Sequence, residues 1–146
     1  MKITTRPATI QDKEFARDVH HLAYRDVVER QFGTWNEAIQ DQVFENKWAH
    51  ARFTILLVDE EPCGVVDVEN QTEEIHIHEL VIHPHFQGNG IGTVFLQQVI
   101  DRSKSQNVPA KLRVLLKNRA IALYQRLGFR EFDSTETHIL MEWSDN

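Results

Sequence analysis

The chain has one cysteine, Cys63, among its 146 residues, so it can close no disulfide within itself, and a reducing, cytoplasmic setting is the expectation. It has no run of lysine and arginine. Its 16 basic residues stand against 22 acidic ones, a formal charge of −6, which weighs against nucleic-acid binding through a basic face. No apolar stretch approaches the ~20 residues of a membrane span, and Met1 to Arg6 lacks the apolar centre of a signal peptide. No repeat, low-complexity segment or linker divides the chain, so one domain over residues 1–146 is expected.

What it does have is one stretch that can hold an anion. The apolar strand ending at Leu80-Val81-Ile82 runs into His83-Pro84. Gly88, Gly90 and Gly92 then fall within five positions, and Thr93-Val94-Phe95-Leu96 opens a helix. Glycines let backbone approach a ligand closely, and the first turn of a helix presents unpaired N–H groups at a positive dipole end. A pyrophosphate is the expected guest. Two common phosphate loops are excluded. The Walker loop requires lysine after its last glycine, where Thr93 stands. The dinucleotide fingerprint G-x-G-x-x-G, started at Gly88, meets Thr93 at its sixth position.

The remaining chain reads as strands and helices in mixed order. Lys2 to Arg6 is a short strand, and Thr9 with Asp12 marks a helix start. Helices are expected over Ile10 to Glu29 and Trp35 to Ala49. Strands follow at Phe53 to Val58, Gly64 to Val68 and Glu74 to Ile82, with Asp59 to Pro62 as a turn between the first two. After the glycine-loop helix come a strand at Lys111 to Leu116 and a helix from Asn118 to Leu127, stopped by Gly128. Strands at Phe129 to Asp133 and Thr137 to Trp143 close the chain. The order β-α-α-β-β-β-α-β-α-β-β implies an α+β fold with a mixed sheet of about seven strands and about four helices. The aromatic residues Phe32, Trp35, Phe44 and Trp48, with Tyr24 nearby, fit core packing; Tyr24, Phe32 or Trp35 could also border an acceptor pocket.

Gln87-Gly88-Asn89-Gly90-Ile91-Gly92 resembles the Gln/Arg-x-x-Gly-x-Gly/Ala motif of the GCN5-related N-acetyltransferases (GNAT). Asn118-Arg119-Ala120-Ile121-Ala122-Leu123-Tyr124-Gln125-Arg126-Leu127-Gly128-Phe129 resembles a second motif of the same family, Asn-x-x-Ala-x-x-Leu/Phe-Tyr-x-x-x-Gly-Phe. The resemblance covers Phe53 to Trp143, and the first fifty residues fit as the family's variable acceptor side. It implies the acyl-CoA N-acyltransferase fold, with a mostly antiparallel sheet and acetyl-CoA as acetyl donor. It also implies direct transfer to an amine, carried by a small molecule or a peptide. An acidic chain is compatible with a cationic acceptor. A homodimer would follow family habit. The rival class is a non-catalytic acyl-CoA-binding module, a sensor or interaction protein that keeps both motifs.

The resemblance also assigns roles. The loop Gln87 to Gly92, with Thr93, would hold the pyrophosphate. The backbone of Leu80, Val81 and Ile82 would bond the pantetheine arm, with an amide near Val81 as oxyanion donor. Tyr124 would contact the coenzyme sulfur and protonate the leaving thiolate, or merely pack. Asn118 would contact the cofactor, cap its helix, or both. Glu79 stands where many members carry a carboxylate base, acting directly or through water. His78, on the opposite strand face, is its rival and a candidate acceptor contact beside Tyr24 and Trp35. His76, His78, His83 and His85 have no cysteine or third ligand at a recognised spacing, so no metal is expected. Cys63 follows Pro62 with no sign of activation and reads as inert.

Overall fold

The computed structural model describes residues 1–50 and 52–145. The chain runs β1 (Ile3–Pro7), a 3-10 turn (Ile10–Asp12), α1 (Lys13–Phe32), α2 (Glu37–His50), β2 (Thr54–Val58), β3 (Glu61–Asn70) and β4 (Ile75–Ile82). A second 3-10 turn (Pro84–Phe86) leads to α3 (Ile91–Gln106), β5 (Ala110–Leu115), α4 (Ile121–Arg126), β6 (Arg130–Ser134) and β7 (His138–Trp143). The seven strands lie in the order β1-β2-β3-β4-β5-β7-β6. β4 and β5 pair in parallel, whereas β1–β2, β2–β3, β5–β7 and β6–β7 pair antiparallel. This is the mixed α+β architecture expected from the element order.

Boundaries shift for local reasons. The first helix begins as a 3-10 turn, where the Thr9 N–H donates to the Asp12 carboxylate at 2.8 Å. Arg6 grips the same carboxylate with two bonds, at 2.9 and 3.0 Å. That guanidinium, with the Thr9 amide, holds the Asp12 carboxyl down at about 2. α1 continues past Glu29 to Phe32 and stops at Gly33, whose φ of 92° closes the helix by an N–H bond to the Glu29 carbonyl. The β2–β3 turn contracts to Asp59 and Glu60, both at positive φ (48° and 70°). That is the two-residue hairpin geometry that follows strand twist, so Glu61 and Pro62 join β3.

The chain falls into two compact units, Met1–Asp67 with Glu79–Ile91, and Val68–His78 with Gly92–Asn146. In the first, Ala16 and Val19 of α1, Phe44 of α2, Ile55 of β2, Val65 of β3 and Val81 of β4 form a buried cluster, with Trp48 and Phe53 packed on it. Phe44 and Trp48 are therefore core residues, while Phe32 is 55% exposed. Within this unit β3 passes very close to β4: a Cβ on Gly64 would stand 2.3 Å from the Val81 carbonyl oxygen. In the second unit α3 buries Phe95, Leu96, Val99 and Ile100, one helical face, and β5 and β7 bury Ala110, Leu112, Val114, Met141 and Trp143. β6 is exposed along its whole length; its charged Arg130, Glu131 and Asp133 suit an outermost strand.

Candidate active site

β4 alternates. Ile75, Ile77, Glu79 and Val81 take the buried face, and His76, His78, Leu80 and Ile82 the other. Glu79 thus occupies a core position, 7% exposed. A charge there has to be paired, because lost hydration is costly. The Tyr24 hydroxyl of α1 donates to Oε1, and Lys47 Nζ of α2 lies 3.1 Å from Oε2. The same ammonium sits 4.3 Å from the Tyr24 ring centroid and 3.3 Å from His20 Nε2. His20 is buried one helical turn before Tyr24, its ring 4.8 Å from the tyrosine ring. Burial, then the neighbouring Lys47 and His21, push the His20 imidazole down to about 3.

The contacts continue outward. His20 Nδ1 meets His21 Nδ1 at 3.0 Å, and His21 Nε2 meets Asp41 Oδ1 at 2.7 Å. Arg17 bonds the same Asp41 oxygen at 2.7 Å. Trp35 lies edge-on to His21, ring centroids 5.2 Å apart, and its indole N–H donates to Glu37 at 2.7 Å. Among the described residues, donor atoms of His21, Glu37 and Asp41 come within 4.8 Å of one another. Arg17 lies against two of them, 2.7 Å from Asp41 and 3.7 Å from Glu37.

Of the expected acceptor-side residues, Tyr24 touches Glu79 directly, whereas Trp35 packs on His21. His78 lies on the opposite strand face, its Nε2 hydrogen-bonded to Glu69 at 2.8 Å and its ring stacked on His76 at 4.2 Å. Sequence reasoning missed Lys47, His20 and His21. A signal was present: His20 and Tyr24 are spaced i, i+4 on a helix, and polar groups inside an apolar stripe ask for partners.

Past β4, the His83 N–H donates to the Cys63 carbonyl at 2.8 Å, and His83 Nδ1 accepts from the His85 amide at 3.0 Å. Two side-chain amides brace the glycine loop. Gln87 donates to the Ile82 carbonyl at 2.9 Å and Asn89 to the Phe86 carbonyl at 3.2 Å. Gly88 and Gly90 stand at φ 82° and 80°, where an L side chain is strained, and nothing lies within 4 Å of a Cβ added at either. The loop is exposed and runs straight into the N-terminus of α3, at Ile91, Gly92 and Thr93. The β4–β5 register covers Ile75 to Ile77 against Ala110 to Leu112; Leu80, Val81 and Ile82 lie beyond its last pair.

In the second unit, Asn118 Oδ1 accepts from the Ala120 amide at 2.8 Å and its carbonyl from the Ile121 amide at 3.3 Å, so Asn118 forms the turn before α4, whose N-cap is Ala120. Tyr124 is 7% exposed, its ring edge-on to Phe129. Cys63 is fully buried and donates to the Leu56 carbonyl; burial pushes its thiol up to about 11.

A family model described as an acetyltransferase (GNAT) domain matches residues 23–139. An uncharacterised N-acetyltransferase of Methanocaldococcus jannaschii is 33% identical over 98 residues, which is 58% of this chain and 43% of the relative. The protein YqkA of Bacillus subtilis is 27% identical over 68% of this chain and 29% of its own length. The chain thus spans less than half of either relative. Among solved structures, PaiA N-acetyltransferase from Thermoplasma acidophilum, in complex with coenzyme A, superposes with a TM-score of 0.78 at 17% identity over 99% of both chains. An Escherichia coli N-acetyltransferase of a ribosomal protein's alanine gives 0.66 at 20% identity, covering 97% of this chain and 93% of that one. At those identities the likeness is one of fold.

Proposed function

Because the chain belongs to the GNAT acetyltransferase family, as the match over residues 23–139 shows, we propose that it moves an acetyl group from acetyl-CoA to a primary amine. The acceptor is a small molecule or a peptide. The observation that carries this reading is the buried Glu79, paired with Lys47 and Tyr24, on the strand that leads into the glycine loop.

The loop suits a pyrophosphate. Gly88 and Gly90 leave open the space where side chains would stand, Gln87 and Asn89 brace the loop from within, and the first turn of α3 offers N–H groups at a positive dipole end. Ile91, Gly92 and Thr93 belong to that turn. Leu80, Val81 and Ile82 offer β4 backbone for the pantetheine arm, and a Val81 amide would serve as oxyanion donor. When bound, acetyl-CoA supplies an activated thioester.

Glu79 is the proposed base. An amine is protonated near neutral pH and must lose a proton before it attacks. Each carboxylate oxygen has two lone-pair directions. Tyr24 and Lys47 take one on each oxygen, which leaves room for the acceptor's proton or for a water that relays it. His78 is less suited: it projects to the other face and is already paired with Glu69. Tyr124 is proposed as the acid for the leaving thiolate, and Asn118 as a cofactor contact beyond its bonds to the turn before α4. Both rest on the motif.

The Lys47 ammonium weakens any carboxylate base it touches. That contact favours a second reading, a non-catalytic acyl-CoA-binding module. Melting with coenzyme A tests what the two readings share. At a hundred times its dissociation constant the ligand adds about 2.7 kcal/mol, roughly 5–10 °C for a chain of this size. An unmoved melting point would remove both. No helix among the described residues is long and apolar enough to cross a membrane. We place the protein in the cytoplasm, with no nucleic-acid partner, on the single buried thiol and the net charge of −6.

A further inference from the structure

Two histidines outside both motifs stand behind the Lys47–Glu79 pair. His20 is 4% exposed, and both its ring nitrogens have partners, Lys47 at Nε2 and His21 at Nδ1. His21 in turn meets Asp41. α1 supplies both rings and Tyr24 within two turns; α2 supplies Asp41 and Lys47.

The proton positions follow by elimination. An ionised carboxylate only accepts, so His21 carries a proton on Nε2. An ammonium only donates, so His20 Nε2 must hold a lone pair and take a hydrogen from Lys47. Neutral His20 then carries its proton on Nδ1 and donates it to His21 Nδ1, which accepts. Every N–H from Lys47 to Asp41 points the same way, and one tautomer of each ring satisfies all the contacts. A second proton on either ring breaks the chain. On His20 it would set an N–H against the ammonium at 3.3 Å. On His21 it would reverse the His20 bond and produce the same clash.

We infer that His20 and His21 are positioning residues for the acetyl transfer: anchored at Asp41, they hold the Lys47 ammonium against Glu79 Oε2 and so fix the carboxylate that Tyr24 bonds at Oε1. The inference rests on the proposed role of Glu79 as base. His20 faces Lys47 and Phe44 of α2 and His21 and Tyr24 of α1. His21 faces Asp41, with Glu37 at 3.9 Å and Trp35 edge-on, and Arg17 bonds the same Asp41 oxygen. The low pKa of His20, about 3, agrees with a ring kept neutral to act as acceptor.

Nitrogen-15 NMR of histidine-labelled protein reads the tautomers directly. His20 is expected as the neutral Nδ1–H form, unchanged from about pH 5 to 8, and His21 with a proton on Nε2. His20→Leu removes the acceptor for Lys47. It is expected to lower kcat about tenfold, leave KM for acetyl-CoA unchanged, and move the acid limb of the kcat–pH profile upward. His20→Gln offers an amide oxygen to Lys47 and should keep kcat and limb near native. An imidazolium or an Nε2–H tautomer at His20 overturns the inference, as does an unmoved limb in His20→Leu. Glu79→Gln separates the two failures. If that variant keeps native kcat, the base reading fails whatever the histidines do. If it loses activity while His20→Leu leaves the limb in place, only the positioning inference fails.

Discussion

Glu79 Oε2 and Lys47 Nζ stand 3.1 Å apart, and the two side chains differ sharply in exposure, 7% for the glutamate and 32% for the lysine. Removing the lysine strands a buried carboxylate. Lys47→Met is therefore expected to cost about 1–3 kcal/mol, below the range for a fully buried pair because water reaches the ammonium. Lys47→Met with Glu79→Gln should recover part of that loss. Urea unfolding of the four proteins in this cycle measures it, and strict additivity would mean the two groups do not interact.

Gly64→Ala is expected to destabilise the protein by about 1–3 kcal/mol, because the added carbon meets a backbone oxygen at 2.3 Å and no rotamer can relieve it. That oxygen belongs to Val81. The displaced β4 should also raise KM for acetyl-CoA, so the two effects should appear together in unfolding and kinetic measurements.

Gly90→Ala and Gly33→Ala form a matched pair. Both positions have positive φ and open space around the added carbon, so each should lose about 1–2 kcal/mol to backbone strain. Only Gly90 lies in the proposed phosphate loop. Its variant should raise KM for acetyl-CoA at least roughly tenfold, while Gly33→Ala leaves KM alone. Equal KM values would remove the loop from cofactor binding.

The elements were legible in the sequence where turn residues and periodicity agreed. Glu79 is legible through the family resemblance of the residues around it, and the glycine loop through the spacing of Gly88, Gly90 and Gly92 between a strand and a helix. The β2–β3 turn is shorter than its residue types suggest, since positive φ at Asp59 and Glu60 is uncommon for such residues. Lys47, His20 and His21 stayed hidden for a different reason. The inward face of α1 mixes His20 with Ala16, Val19, Val27 and Val28, and periodicity does not reveal which α2 and β4 residues meet a buried polar side chain.

Two groups with large shifts, His20 and Asp12, contribute to the acid side of the stability profile. His20 titrates at about 3 when folded, against an ordinary 6.5, so between those values the unfolded chain binds the extra proton. Stability should fall as pH drops through that window, by up to about 1.4 kcal/mol per pH unit. Asp12, held at about 2 against an ordinary 3.8, contributes stability above 3.8 that is lost as pH falls towards 2. Urea unfolding of His20→Gln between about pH 6.5 and 4.5 should show a shallower slope than the native protein; an equal slope would contradict the assignment.

The central claim is acetyl transfer with Glu79 as base, and amine-dependent release of free thiol from acetyl-CoA tests it most directly. A panel of small amines and peptide N-termini, with mass spectrometry of the acceptors, should contain at least one that drives release and gains an acetyl group. With that acceptor, Glu79→Gln should be slower by about a hundredfold or more. Coenzyme A binding without amine-dependent thiol release across the panel, or a Glu79→Gln variant as fast as the native protein, would contradict the account.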